Sequence, residues 1–424
     1  MADVSPDGKL ATAVAEFVRQ GFEPHFDELG EQFGSNPLWQ RLRELGSELW
    51  LDTGNVEDAH DLWTRQFSAL TTNNTLLNRE VQSGLYDELI PQAARLLEPF
   101  GLSERERLLE LAFILNARHG LRLVETFDAY VSVEEHTDLA HDLDRAVAYA
   151  RRYHAICPER FIVKIPFTPA GLLATRRLAA DGVPINHTLG FAARQNYLIA
   201  RIGQPAYVNV FLGRLNAFVA DNGLGDGTYV GERTTLASQR VVRELRRDAG
   251  IETKQIGASF RSGQQVRDLA CLDVMTLPPK VARGFLDLGL EPDDLADRTG
   301  MVYEPPLNQD ADPEAVRLDT LWDVGDDLVA CVDALEQQDL DGFAAPDLVD
   351  FLHDRGCGDV VPRWTDEQVA TSAAEGKIPQ LDHWRETLAA KTIGLDGLMN
   401  LAGLNSFTSD QQAMDERVAE VLGR

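Results

Sequence analysis

The sequence predicts an α/β protein built on a closed (β/α)8 barrel of the TIM type, preceded by a helical segment and followed by an acidic helical extension. Three observations carry that expectation. Short β-rich runs, most of them separated by helical patterns, occur eight times between residues 48 and 278. No Gly-x-Gly-x-x-Gly follows the first run, which removes the usual support for the rival doubly wound, dinucleotide-binding sheet. After about residue 315 the strand signal stops while helical patterning continues.

The elements follow in order. Residues 1–47 read as helical, with Leu10, Val14, Phe17 and Val18 at helical spacing and Leu38 to Leu49 continuing it. The barrel is expected over 48–315, with its first four strands in ELWLDT (48–53), SALTTN (68–73), GLRLVETFD (120–128) and RFIVKIPF (160–167). The other four fall in PINHTLG (184–190), YVNVFLG (207–213), ETKQIGASF (252–260) and DVMTLP (273–278). Helical patterns lie between them, for example at 134–152 and 169–181. The second opens with Thr168 as N-cap and Pro169 at the first helical position. Residues 316–424 are acidic and mostly helical, with a break near Gly356-Cys357-Gly358 and Val361-Pro362, and their role is not legible from pattern.

A chain of 424 residues accommodates such a barrel and its extension. Hydrophobic residues make up 44%, and no apolar run approaches the roughly 20 residues of a membrane span. The opening Met-Ala-Asp-Val-Ser-Pro-Asp-Gly lacks the basic start and apolar core of a signal peptide. Cys157, Cys271, Cys331 and Cys357 are scattered without a CxxC pair, as reduced thiols of a cytoplasmic protein would be, and indicate neither a zinc site nor a disulfide framework. A net charge of −28 argues against a nucleic-acid partner. The same excess of Asp and Glu fits either a salt-adapted protein or an ordinary acidic one.

Only six of the 40 basic residues are lysines, yet Lys164 stands inside the apolar run Arg-Phe-Ile-Val-Lys-Ile-Pro-Phe-Thr. An ammonium in apolar surroundings loses hydration, which makes the neutral amine accessible for attack on a carbonyl and Schiff-base formation. Strand parity puts Phe161, Val163 and Ile165 toward the helices and Ile162 and Lys164 toward the barrel interior. By the same parity Asn186 shares a face with Thr188, Asn209 with Phe211, and Ser259 with Arg261. Asp52 closes the first strand and Asn73 the second. Six strands thus aim polar groups at the mouth where barrel enzymes keep their sites.

At these residues the chain resembles the transaldolase family of class I, Schiff-base aldolases. The matching segments run from residue 48 to about 285 in one order: LWLDTGN, TTNNT, IVKIPFTPAGLLATRRL, PINHTLGF, VFLGRLNAF and GASFR. The resemblance implies Lys164 as the Schiff-base lysine and Asp52 as the acid/base that takes the proton of the C4 hydroxyl. It implies Asn73, Asn186 and Thr188 around the three-carbon fragment, and Arg214, Ser259 and Arg261 on the terminal phosphate, where the planar fork of arginine suits two oxygens. It implies no metal or dissociable cofactor, phosphorylated sugars as partners, and a place in the pentose phosphate pathway. The oligomeric state stays open, a homodimer among the alternatives.

Three departures accompany the resemblance. Asn74 replaces the expected proline, and Asn209 stands where serine is usual. In the run taken as the third strand, Thr126 aligns with the glutamate that works through a water, and Glu125 is one residue off. Either a bulge turns Glu125 inward as the catalytic carboxylate, or the proton relay is reassigned. Phe211, where fructose-6-phosphate aldolases tend to have tyrosine, tilts the reading toward transfer rather than release of dihydroxyacetone. Other readings are a modified, for example sulfonated, sugar substrate and a non-catalytic barrel that binds a protein through its acidic extension.

Overall fold

Eight parallel strands close on themselves in sequence order: β1 (Glu48–Asp52), β2 (Phe67–Thr71), β3 (Tyr130–Glu134), β4 (Phe161–Pro166), β5 (Ile185–Thr188), β6 (Tyr207–Phe211), β7 (Lys254–Ala258) and β8 (Val274–Leu277). The computed structural model describes residues 8–24, 26 and 33–423. What the sequence predicts for 1–7, 25, 27–32 and 424, including part of the N-terminal helical segment, lies outside the described residues. Within 1–47 the described helices are Lys9–Arg19 and Pro37–Glu44.

Alternation along the strands sorts the side chains into two layers. Trp50, Ala69, Ile162, Ile256, Ala258 and Val274 fill the barrel interior, where the Trp50 and Tyr207 rings meet edge to face at 4.8 Å. Leu51, Leu70, Val131, Val133, Val163 and Ile165 face outward into the packing with the helices. Interior positions nearer the C-terminal ends are polar, so the barrel is a packed apolar plug below and a polar floor above. The predicted parity of the fourth strand holds.

Every strand but the third falls on its predicted run. Residues 120–127 instead finish a 24-residue helix, Glu104–Phe127, opened by a Ser103/Glu106 capping box and closed by Asp128 in the left-handed region, φ 48°. The run GLRLVETF looked extended because it is rich in Leu, Val, Thr and Phe. Its buried members include Gly120, Leu123, Val124 and Phe127, spaced i, i+3, i+4 and i+7 as on one face of a helix, with Leu121 beside them. Gly120 is where the helix meets the barrel wall: a Cβ there would lie 2.8 Å from the Phe161 ring and 2.9 Å from Val133 Cγ1. The third strand follows at Tyr130–Glu134, and the helix expected from 134 starts only at Leu143.

The helices beyond the barrel pack onto its mouth and flank. Asp326–Glu336 and Ala345–Asp354 bury Leu328, Val332, Leu335 and Leu348 against Leu172, Leu198 and Ile202. The long helix Leu395–Val421 crosses the C-terminal ends of the strands. Its Asn400 Nδ2 donates to the carbonyls of Phe167 (3.0 Å) and Leu189 (3.1 Å), and its Gly403 allows contact with Leu189, where a Cβ would approach to 2.9 Å. Arg194 forms a two-pronged pair with buried Asp396, at 2.8 and 2.6 Å, and a third bond of 2.8 Å to Asp359. Removing one member of such a pair leaves a buried charge uncompensated, at a cost of about 3–5 kcal/mol.

Candidate active site

Lys164 and Glu134 are register partners on β4 and β3, and Asn186 is the partner of Lys164 on β5. Three polar side chains therefore stand side by side in one row of the interior face. Lys164 Nζ lies 3.6 Å from Glu134 Oε1 and donates to the Thr72 carbonyl at 3.4 Å, with only 4% of its side chain exposed. The second oxygen of Glu134 accepts the backbone N–H of Asn74 at 3.0 Å. Burial raises the pKa of Glu134, while Lys164 and the Asn74 N–H pull it back. Asp52 behaves alike: burial raises its pKa, and Lys164, Arg261 and Arg79 oppose the shift. The Phe407 ring, from the long C-terminal helix, sits 5.4 Å from Lys164 Nζ.

A second row begins at Asn209, whose Nδ2 donates to Asn186 Oδ1 (3.1 Å), while Asn186 Nδ2 donates to Ser132 Oγ (3.0 Å). This chain fixes the Asn186 amide. Thr188 Oγ1 and Asn209 Oδ1 are buried without any protein partner. Buried polar atoms are rarely left so, and a bound molecule would satisfy both. Asn73 caps the helix Asn74–Gln82 through Oδ1 (2.8 Å to Leu76 N), which leaves its NH2 group for the cavity.

Beside these residues opens a cavity of about 470 Å³, lined among others by Asp52, Asn73, Phe211, Arg214, Ser259 and Arg261. Lys164 is not in its wall, but it neighbours two residues that are: its charge acts on Asp52, and its Nζ lies 5.4 Å from the Phe407 ring. Arg214 and Arg261 are brought together by Gly213, where a Cβ would come within 2.2 Å of the Ser259 carbonyl and 2.9 Å of Arg261 Cγ. Ser259 itself takes a left-handed backbone, φ 66°. Neither arginine has an acidic partner within ion-pair reach among the described residues, and Arg214 Nη1 has no partner at all. Burial, and then the neighbouring Arg261 cation, bring the Arg214 pKa down to about 10, so it stays charged at neutral pH. Its guanidinium lies 5.3 Å from the Phe211 ring centre and 5.4 Å from that of Phe407. Two crowded cations with no carboxylate in ion-pair reach suit an anion, although Asp52 acts on Arg261, and Asp410 and Glu134 act on Arg214, from farther away.

Asp52, Asn73, Phe211, Arg214, Ser259 and Arg261 line one cavity, while Lys164, Asn186, Thr188 and Asn209 are buried on the neighbouring strands β4, β5 and β6, joined by register and hydrogen bonds. Glu125 is the exception. It lies on the exposed surface of the Glu104–Phe127 helix, where its Oε1 accepts the backbone N–H of Glu23 at 3.2 Å, and Thr126 Oγ1 donates to the Arg122 carbonyl of the same helix. No bulge turns Glu125 inward, because that segment is not a strand. The carboxylate beside the lysine is Glu134. Its signal was present in Tyr-Val-Ser-Val-Glu, whose two-residue alternation puts Val131 and Val133 outside and Ser132 and Glu134 inside. Phe407 and Lys377 of the extension also line the cavity, and nothing in their local sequence marks them. Among the described residues no group of three or more His, Cys, Asp or Glu side chains is placed to hold a metal ion.

A closed eight-stranded parallel barrel with a buried lysine–carboxylate pair and two unpaired arginines at its strand ends is a protein of the (β/α)8 class. Residues 49–348 match the model of the transaldolase/fructose-6-phosphate aldolase family. A transaldolase from Xanthomonas euvesicatoria pv. vesicatoria is 30% identical over 246 residues, 56% of this chain and 74% of that protein. A probable transaldolase from Thermus thermophilus is 32% identical over 253 residues, 58% of this chain and 95% of its own length. The chain belongs to the transaldolase/fructose-6-phosphate aldolase family and is an enzyme of transaldolase type.

Proposed function

We propose that the enzyme moves a dihydroxyacetone unit from a ketose phosphate to an aldose phosphate through a Schiff base on Lys164. The observation that carries this reading is the Lys164–Glu134 pair, 3.6 Å apart, beside a cavity lined by Asp52 and the unpaired Arg214 and Arg261. Lys164, relieved of a proton by Glu134, attacks the ketose carbonyl. The carbinolamine loses water to give an iminium, with Glu134 and the free hydroxyl of Thr188 handling that water. Asp52 takes the proton of the C4 hydroxyl, the C3–C4 bond breaks toward the iminium, and the aldose leaves. Asn73 and Asn186 hold the three-carbon enamine until a second aldehyde accepts it, and hydrolysis then frees Lys164. Arg214, Ser259 and Arg261 hold the phosphate.

Phe211 favours transfer over a free-dihydroxyacetone aldolase, since its ring stacks on Phe191 at 5.5 Å and offers no hydroxyl to the cavity. The four free, buried cysteines support a reducing, cytoplasmic setting, and the proposed division is a barrel of 48–315 flanked by segments 1–47 and 316–424. Borohydride reduction in the presence of a ketose phosphate tests the reading. A reduced sugar should be found on Lys164, and Lys164→Ala should lose both adduct and turnover while still melting cooperatively. An adduct on Lys280, the other barrel lysine at the cavity, would overturn it.

A further inference from the structure

The helical extension supplies a cation to the cavity that the barrel alone does not have. The lining includes Arg79, Arg214, Arg261, Lys280, Arg283 and Lys377 against the carboxylates of Asp52 and Asp58, six cations to two acids in a chain whose net charge is −28. Of the six, Arg283 is paired with Asp61 at 3.5 Å, and arginines elsewhere also stand in ion pairs, as at Arg152–Glu110, Arg194–Asp396 and Arg201–Glu336. Lys377 is different. Among the described residues no carboxylate lies within ion-pair reach of it, although Asp221, Glu375 and Asp382 border a second cavity that Lys377 also lines. Glu375 is engaged otherwise, accepting from Trp384 Nε1 (2.9 Å) and from the backbone N–H of Gln380 (3.1 Å).

The backbone that carries Lys377 is pinned. Gly376, at φ 78° and ψ −135°, ends the helix Asp366–Glu375 in a conformation that side-chain-bearing residues rarely adopt. Just beyond, Asn222 grips the loop from both directions: its Nδ2 donates to the Pro379 carbonyl (3.0 Å), and its Oδ1 accepts from Leu381 N (2.7 Å). Asn222 caps the helix Leu212–Asp221, whose first turn bears Arg214. One short helix thus carries an anion-binding arginine at one end and anchors the Lys377 loop at the other.

We propose that Lys377 is a further substrate-binding residue, which meets the anionic end of the sugar phosphate from the mouth side while Arg214, Ser259 and Arg261 hold it from within. The inference rests on the transfer reading above. The phosphate site is then completed by the extension, and affinity for the phosphorylated sugar is divided between barrel and extension.

Lys377→Gln, Lys377→Arg and Arg261→Ala in the full-length chain test this, with KM measured for a phosphorylated aldose acceptor and for the same aldose without phosphate. The expected result is that Lys377→Gln raises KM for the phosphorylated acceptor about ten-fold relative to the unphosphorylated one, that Lys377→Arg restores most of it, and that the loss falls on KM rather than kcat. If Arg261→Ala shows that selective loss and Lys377→Gln stays within two-fold, the inference fails while the proposed function stands. If neither variant distinguishes the two acceptors, the assignment of a phosphate to this cavity fails as well.

Discussion

Lys164 Nζ and Glu134 Oε1 stand 3.6 Å apart as register partners on adjacent parallel strands. Neighbouring strands place them there without any loop, so the pair is as rigid as the barrel. Glu134→Gln keeps the shape and the bond from Asn74 N–H but removes the base. Turnover should fall about 100-fold or more, within the range for a lost general acid/base. Glu125→Gln, on the outer helix, should leave it within a few-fold. Steady-state kcat for both variants checks this, and the reverse order would remove Glu134 from the chemistry.

The pH dependence follows from the raised pKa values of Asp52 and Glu134. Each acts as a base only when ionised, so activity should be lost as pH falls through the raised value. The acidic limb of kcat/KM should therefore lie above the ordinary carboxylate range of about 4. At the other end, phosphate affinity should weaken as pH approaches the Arg214 value of about 10. A profile flat down to pH 4 would contradict the first expectation.

Arg214 and Arg261 without counter-ions predict a substrate-charge effect. Changing either to Ala should raise KM for phosphorylated substrates ten-fold or more, since a lost charge-assisted contact costs about 1.5–3 kcal/mol. Unphosphorylated analogues should change far less. Equal effects on both would make the arginines structural.

How much of this was legible from the chain depended on locality. Asp52, Asn73, Lys164, Asn186 and Thr188 sit on or just after strands whose own alternation sets the inward face. Residues 120–128 misled because β-rich composition outweighed a helical burial interval, and the true strand, Tyr130–Glu134, follows just beyond them. That error carried the expected carboxylate to Glu125. Phe407 and Lys377 could not be read at all, because tertiary docking of the extension, rather than their neighbours in sequence, brings them over the cavity.

Glu135 offers a stability test. It is buried, neither carboxylate oxygen has a partner, and burial raises its pKa well above 4.5. Its ionisation therefore opposes folding: the destabilisation is absent below the unfolded pKa and grows as pH rises toward the folded one, at about 1.4 kcal/mol per pH unit. Glu135→Gln should melt higher than the parent at pH 8, with the gap closing by about pH 4.5. A gap independent of pH would mean that the carboxylate does not titrate there.

The acidic surface makes salt the next variable. Adaptation to salt predicts a melting temperature that climbs by several degrees between 0.1 M and molar KCl. Simple screening of self-repulsion should saturate early, because the Debye length is already about 10 Å at 0.1 M. A flat response above 0.1 M would identify an ordinary acidic protein.

The Arg194–Asp396 pair also has a bearing on how the chain matures. During synthesis the barrel strands emerge well before Leu395–Val421, and N-terminal units fold first. Until that last helix arrives, Arg194 lacks Asp396, the Phe167 and Leu189 carbonyls lack Asn400, and Lys164 lacks the cover of Phe407. A nascent chain halted before Leu395 would lack the Phe407 ring beside Lys164. Docking of that helix therefore adds Asp396 to the Asp359 partner that Arg194 already has and lays Phe407 over Lys164 in one step.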